Sequence, residues 1–378
     1  MTSRERVRKA ISFERPDHTP RDFSAVPEIW RRLQEHFGVA NRQTVLQRLA
    51  VDCRIISYDS FCHHPDEDLA SLDDEDLASL DMEASSERSS TGRMWRRLEP
   101  DGSNRDIWGA HRRRVQTEFC VLDEFASFPL ANATSVDDLC QWRWPQPEWW
   151  DFSDIEQTMA KLNADEEHSI RYRVGSVFET AWSLYGFERL LMDLSANPAM
   201  PEYVMERITE VHIENLRRVL ERAANLIDIV YFYDDLASQA GLLFSPAMYA
   251  RCVQPFHRRI IETAHKYGKP VMMHSCGAVF GMIPSLIDSG IRILNPIQPK
   301  ARGMEPERLA REFGGQIAFH GGIDVQELLP HGTPTQVCQA VRRTAEVLSR
   351  DGGYICAGSH HVQADTPLEN ILAMFGVE

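Results

Sequence analysis

Short apolar runs alternate with amphipathic stretches along most of the chain. Runs rich in Ile, Val, Tyr and Phe read as buried parallel strands, which lack the in–out alternation of half-exposed ones. Eight are predicted: Arg21–Ala25, Arg54–Ser57, Ile170–Gly175, Ile227–Tyr233, Pro270–His274, Arg292–Asn295, Ile317–His320 and Tyr354–Cys356. Between the later runs, apolar residues recur at helical spacing. Val204, Ile208, Val211, Leu216 and Leu220 mark one face of a helix over Met200–Ala224. Pro246–Tyr267 reads as one continuous helix, with Pro246 early in it and Gly268 as its stop. Pro306–Phe313 and Pro334–Ser349 repeat the pattern. Repeated strand–helix units imply a parallel sheet with right-handed crossovers, and eight of them imply closure into a (β/α)8 barrel. An open doubly wound sheet is the other arrangement this pattern allows.

One region breaks the rhythm. Residues 60–168 separate the second and third predicted strands and begin with an acidic quasi-repeat, Asp66–Leu72 followed by Glu75–Leu80. A Ser-rich stretch, Ser85–Gly92, comes next, then turn signals at Asp101-Gly102 and Asp106–Gly109 that predict hairpins. The expected organisation is a single domain over 1–378, with an N-terminal extension and an insertion at 60–168 covering the barrel mouth. The acidic repeat itself reads as a solvated surface.

Charge narrows the choice of partner. The 378 residues carry a formal net charge of −15, which opposes binding to nucleic acid or an anionic membrane. No apolar run approaches the length of a bilayer span, and the first residues lack the apolar core of a secretion signal. A cytoplasmic protein is expected. The eight cysteines are scattered, so they read as thiols or ligands and not as a disulfide framework.

In a parallel barrel the active site lies where the strands end. The predicted strands run into Phe178-Glu179, Tyr233-Asp234-Asp235, His274-Ser275-Cys276-Gly277, Asn295-Pro296-Ile297-Gln298, His320-Gly321-Gly322 and Cys356–His361. His274 and Cys276 lie two apart on an extended segment, so both side chains face one side. With Cys356, at the end of another strand, they can form a three-ligand set suited to zinc, with a fourth position open. Asp234 and Asp235 read either as paired carboxylates for acid–base work or as a turn cap. His320 can meet a substrate or the neighbouring loop. Gly321-Gly322 suggests close approach of a ligand to the backbone. At most one of His360 and His361 should face the site. The motifs of dinucleotide, nucleotide-phosphate and serine-hydrolase chemistry are missing.

These segments, in this order, resemble the uroporphyrinogen decarboxylase superfamily. The likeness starts at Arg4–Val7 and Phe13–Pro20, runs through Phe178–Glu188 and the strand ends above, and closes at Asp365–Ile371. It implies a distorted (β/α)8 barrel. The decarboxylases carry paired arginines after the first strand, whereas Pro20–Pro27 here holds only Arg21. The methyltransferase branch carries His-x-Cys with a later Cys as zinc ligands, matched here by His274, Cys276 and Cys356. The resemblance therefore implies a zinc methyltransferase, with methylcobalamin held on a separate corrinoid protein and a small thiol, methoxy or methylthio compound as the other substrate. Glu179, Asp234, Asp235 and His320 are the expected catalytic residues. Arg21, Gln239, Asn295, Gln298 and His360 are expected to bind substrate. A homodimer fits the likeness. Two other readings stay open: a decarboxylase-like carbon–carbon lyase, and a barrel that binds a corrinoid or tetrapyrrole without catalysis.

Overall fold

Seven of the eight predicted strands form in the computed structural model, and all seven join one parallel sheet. Residues 1–63, 96–116, 121–350 and 352–377 are described; the acidic repeat and the Ser-rich stretch lie outside them. Strand β1 (Cys53–Ser57) is followed in sequence by four short strands: β2 (Arg96–Leu98), β3 (Asn104–Asp106), β4 (His111–Gln116) and β5 (Val121–Ser127). The parallel sheet continues with β6 (Ser169–Arg173), β7 (Ile229–Tyr233), β8 (Val271–His274), β9 (Ile291–Ile297), β10 (Ala318–Ile323) and β11 (Tyr354–Gly358). Arg21–Ala25, the eighth predicted strand, takes its place by parallel bridges instead. Arg21 pairs with Cys356 and Ala25 with Val362, while the Asp52 N–H, just before β1, donates to the Arg21 carbonyl. This segment thus connects the two edges of the sheet.

Side chains alternate between the two faces of each strand. Cys53, Ile229, Met272, Ile293, Ala318 and Ile355 form a small apolar cluster with Val7 and Ile11 of helix α1 (Ser3–Ile11). These strand residues fill the lower barrel interior, and α1 stoppers it from below. Residues at the opposite positions of the same strands, among them Ile56, Val230, Met273, Leu294, Phe319 and Cys356, belong to the larger core beneath the outer helices.

The predicted helix over Met200–Ala224 is found at Ala199–Ala223. Pro246–Tyr267 is not continuous: it divides into Pro246–Cys252 and Gln254–Lys266, with Val253 between them off helical geometry. Pro255 explains the break, since its ring has no N–H to continue the ladder and crowds the preceding turn. The hairpins expected between Asp101 and Gly109 are present, in a four-stranded antiparallel sheet of β2 to β5. Trp108 from that region donates its indole N–H to the Tyr58 hydroxyl at 3.1 Å, just beyond β1.

The stopper is fastened by charge. Arg6 of α1 donates to Asp52 at 2.5 Å and to Asp17 at 2.7 Å, and Asp52 also accepts the Arg21 N–H at 2.7 Å. Asp52 and Arg6 are both buried. Replacing Arg6 with Ala strands the Asp52 charge in a dry environment, a change that typically costs about 3–5 kcal/mol. Urea unfolding of Arg6→Ala should show a loss of that size, and an unchanged midpoint would refute the assigned role.

Candidate metal and active site

The barrel interior turns polar toward the strand C-termini. On β8, His274 follows Met272 on the inward face. Its Nε2 lies 3.2 Å from the Cys276 Sγ, and its Nδ1 lies 2.7 Å from the Asn295 Oδ1. The turn carrying Cys276 is held by the Cys276 N–H donating to Asp235 Oδ1 at 2.7 Å. Gly277 follows with φ +83°, and a Cβ there would meet the Ser238 carbonyl oxygen at 2.5 Å, so this turn requires glycine. The His360 ring reaches in from the loop after β11, its centroid 6.0 Å from that of His274.

His274, Cys276 and His360 each offer one ligand atom, all within 4.8 Å of one another, and all three residues are partly exposed. Tetrahedral zinc with bonds of about 2.0–2.3 Å separates its ligand atoms by roughly 3.3–3.8 Å. Two imidazoles and a thiolate suit that ion, and this set needs only a small contraction to hold it.

Cys356, expected as the third ligand, is not part of this group. Ile355 points into the barrel, so Cys356 points outward, into the core beneath the helices. Burial pushes its thiol up to about 11. His360, expected to bind substrate, takes the third corner instead. The error lay in treating the end of a strand as a direction; a single step along it reverses the side chain. Of the two adjacent histidines, His360 joins the cluster, and His361 packs against it with ring centroids 5.0 Å apart. Burial first, then the charges of His360, His274, Arg173 and Arg171, push His361 down to about 3, so it stays neutral.

Asp234 and Asp235 separate in role. Asp234 is fully buried. It accepts from the Val177 N–H at 3.0 Å and the Glu179 N–H at 2.7 Å, capping the helix Phe178–Tyr185, whose own N-cap residue supplies no side chain. His257 Nε2 lies 2.7 Å from Oδ2, the same oxygen that takes the Val177 N–H. It is a structural anchor turned away from the cluster. Asp235 faces the site, with Oδ1 3.8 Å from His274 Nε2 and its side chain 41% exposed. Glu179 stands behind it, accepting the Asp235 N–H at 2.8 Å.

Asn295 and His320 do not reach open space. Both are buried, and they contact each other at 2.6 Å. His320 Nε2 lies 2.7 Å from Asp22 Oδ2, and Arg171 donates to the same carboxylate. Gln298 and Gln239 form the rim: Gln239 donates to Gln298 at 2.8 Å, and the Gln298 Oε1 also takes the Gly277 N–H at 2.7 Å. Arg21, expected to grip substrate, instead donates to the Phe375 carbonyl at 2.7 Å, at the end of the last helix. The Gly321-Gly322 pair serves packing. A Cβ on Gly321 would meet the Ile297 nitrogen at 2.9 Å, and one on Gly322 the Thr344 side chain at 3.0 Å.

Asp22, Arg171 and Arg173 escaped the list of expected site residues. Arg171 and Arg173 interrupt β6 at alternate positions and so share its inward face. That spacing was a readable signal. Each is paired with a carboxylate, Arg171 with Asp22 and Arg173 with Asp59.

The chain is 31% identical over 153 residues to the methylated-thiol–coenzyme M methyltransferase of Methanosarcina mazei, covering 40% of this chain and 38% of that relative's length. A solved methyltransferase from Methanosarcina mazei superposes over 100% of this chain and 98% of its own, with TM-score 0.63 and 14% identity, a likeness of fold. The family model described as uroporphyrinogen decarboxylase (URO-D) matches residues 152–377. That match spans the strand ends from β6 to β11 and every residue of the candidate metal cluster, and on it the chain belongs to the uroporphyrinogen decarboxylase family.

Proposed function

We propose that the protein is a zinc-dependent methyltransferase that moves a methyl group between a corrinoid on a separate protein and a small thiol, methoxy or methylthio compound. The convergence of His274, Cys276 and His360 at the strand C-termini carries the reading. The identity shared with a methylated-thiol methyltransferase supports the reaction class. Zinc bound there would supply a positive charge that favours the thiolate form of a substrate thiol near neutral pH. His274, Cys276 and His360 would bind the ion, leaving one position for substrate. The exposed carboxylate of Asp235 borders that position, suited to take the thiol proton or to fill the position when substrate is absent. Gln239 and Gln298, at the rim, are placed to orient the substrate's polar groups. The chain contains no corrinoid-binding motif, so the corrinoid would come with its partner. Among the described residues, no helix is long and apolar enough to cross a membrane.

A carbon–carbon lyase has one observation in its favour, the inward-facing Arg171 and Arg173. Because Asp22 and Asp59 already neutralise them, they make a weak grip for a polycarboxylate substrate.

Metal analysis of the purified chain decides between these readings. One zinc per chain is expected. Cys276→Ser and His360→Ala should weaken zinc binding by more than about 100-fold, above the usual effect of residues behind a ligand. Cys356→Ser should keep its zinc. A metal-free wild type after zinc reconstitution would overturn the proposal. In methyl-transfer assays with methylcobalamin and simple thiols, Asp235→Ala should lower kcat while shifting the unfolding midpoint far less than Asp234→Ala does, since its carboxylate is 41% exposed. Asp234→Ala should lower stability: it orphans the buried Val177 N–H, at about 1–3 kcal/mol, and the part-buried Glu179 N–H as well, with zinc content preserved. Equal effects of the two aspartates on stability would contradict their separate roles.

A further inference from the structure

A continuous file of side chains runs from the candidate metal ligands into the barrel wall. It passes from Cys276 to His274, Asn295, His320, Asp22 and Arg171. We infer that Asp22, His320 and Asn295 are positioning residues that hold His274 in the tautomer protonated at Nδ1, leaving Nε2 bare and aimed at the metal position beside Cys276. The inference rests on the metal reading proposed above for its consequence, though not for the tautomer itself.

Counting protons along the file gives the direction. Asp22 is held well below the usual carboxylate range against its own burial, chiefly by Arg171 and then by His320. It is therefore an acceptor only, receiving Arg171, the His320 ring and the Phe23 N–H. His320 must place a proton on Nε2 to meet it at 2.7 Å, the Arg171 guanidinium that also approaches Nε2 being farther off at 3.5 Å. Burial favours a neutral imidazole at His320, which has one ring proton to place. Its Nδ1 is then bare. The group 2.6 Å from that nitrogen must donate, so it is the amide nitrogen of Asn295. The Asn295 carbonyl oxygen consequently faces His274, 2.7 Å from Nδ1. A carbonyl cannot donate, so His274 carries its proton on Nδ1. In the neutral ring the lone pair is then on Nε2, the ring atom 3.2 Å from Cys276 Sγ.

Each step has one solution because each group is shielded. Asp22 and His320 are 4% exposed and Asn295 is 9% exposed, so water has little room to reverse a link. A free histidine side chain prefers its proton on Nε2, the arrangement that blocks this metal position. The file removes that competition before any metal arrives, and hydrogen bonds of this kind are known to orient ligand imidazoles. Asn295 and His320 are thereby consumed in holding a ligand, which leaves substrate contacts to the rim.

The test is a long-range 1H–15N correlation on metal-free, 15N-histidine-labelled full-length protein, with His274 assigned through His274→Gln. Wild type should show Nδ1 protonated and Nε2 bare. His320→Phe does not touch His274 and leaves the Asp22–Arg171 pair in place, yet it should mix the His274 tautomers. Asn295→Leu should do the same. Asn295→Asp keeps an acceptor toward His274 and should retain the wild-type tautomer. Zinc affinity should fall about 10–100-fold in His320→Phe and Asn295→Leu and stay near wild type in Asn295→Asp. A wild-type His274 protonated on Nε2, or one unaffected in His320→Phe, would overturn the inference. If Asn295→Leu fails to fold, the wild-type spectrum alone still decides the tautomer. An Nδ1–H tautomer in a wild type that binds no zinc would overturn the metal reading and leave the file standing.

Discussion

Asp22, Arg171 and His320 meet inside a parallel barrel, where water cannot answer their charges. Desolvating an ion pair costs several kcal/mol per ion, and the arrangement survives because the Asp22 carboxylate meets both Arg171 and His320 and both His320 ring nitrogens have partners. That requirement shapes the upper barrel. It ties the bridging segment at Asp22 to β6 through Arg171 and to β10 through His320. It then reaches β9 through Asn295 and β8 through His274. The side chains that satisfy the buried charge are also those that set the direction of the candidate metal ligand. Stability and chemistry share one set of hydrogen bonds.

The lower barrel solves the opposite problem. Its inward positions are apolar, and α1 closes them off with Val7 and Ile11. A dry floor beneath a polar upper chamber keeps the effective dielectric low, which strengthens the bonds above it. The outer helices contribute at a distance. Asp234, at the end of β7, caps the helix Phe178–Tyr185, and His257 from Gln254–Lys266 braces the same carboxylate. Asp235 is thereby held at the site by a residue that does not enter it. The glycine at 277 completes the turn where no side chain fits.

Much of this was legible in the chain. Buried parallel strands need continuous apolar runs, and helices need apolar residues every three or four positions, so element order and barrel class could be read from local pattern. His274 and Cys276 could be paired because a spacing of two on an extended segment is a local geometric fact. The same rule, applied to Arg171 and Arg173, would have placed both in the interior. Applied from Ile355, it would have turned Cys356 outward.

What the sequence by itself determined therefore belongs to neighbours along the chain: the strands, the helices, the facing pair His274 and Cys276, the family likeness. Which groups meet from different strands was decided only by the tertiary structure. His360 approaches the cluster from a loop whose path depends on packing, and no spacing encodes that path. Asp22 and His320 lie 298 positions apart, and their contact follows from sheet closure. Asn295 looks like a substrate-binding residue and His320 like a catalytic one on a linear reading, because polar side chains at strand ends usually meet solvent or ligand. Folded, they face each other and a buried carboxylate. The physical reason is the cost of leaving any of those groups unpaired once the barrel has excluded water.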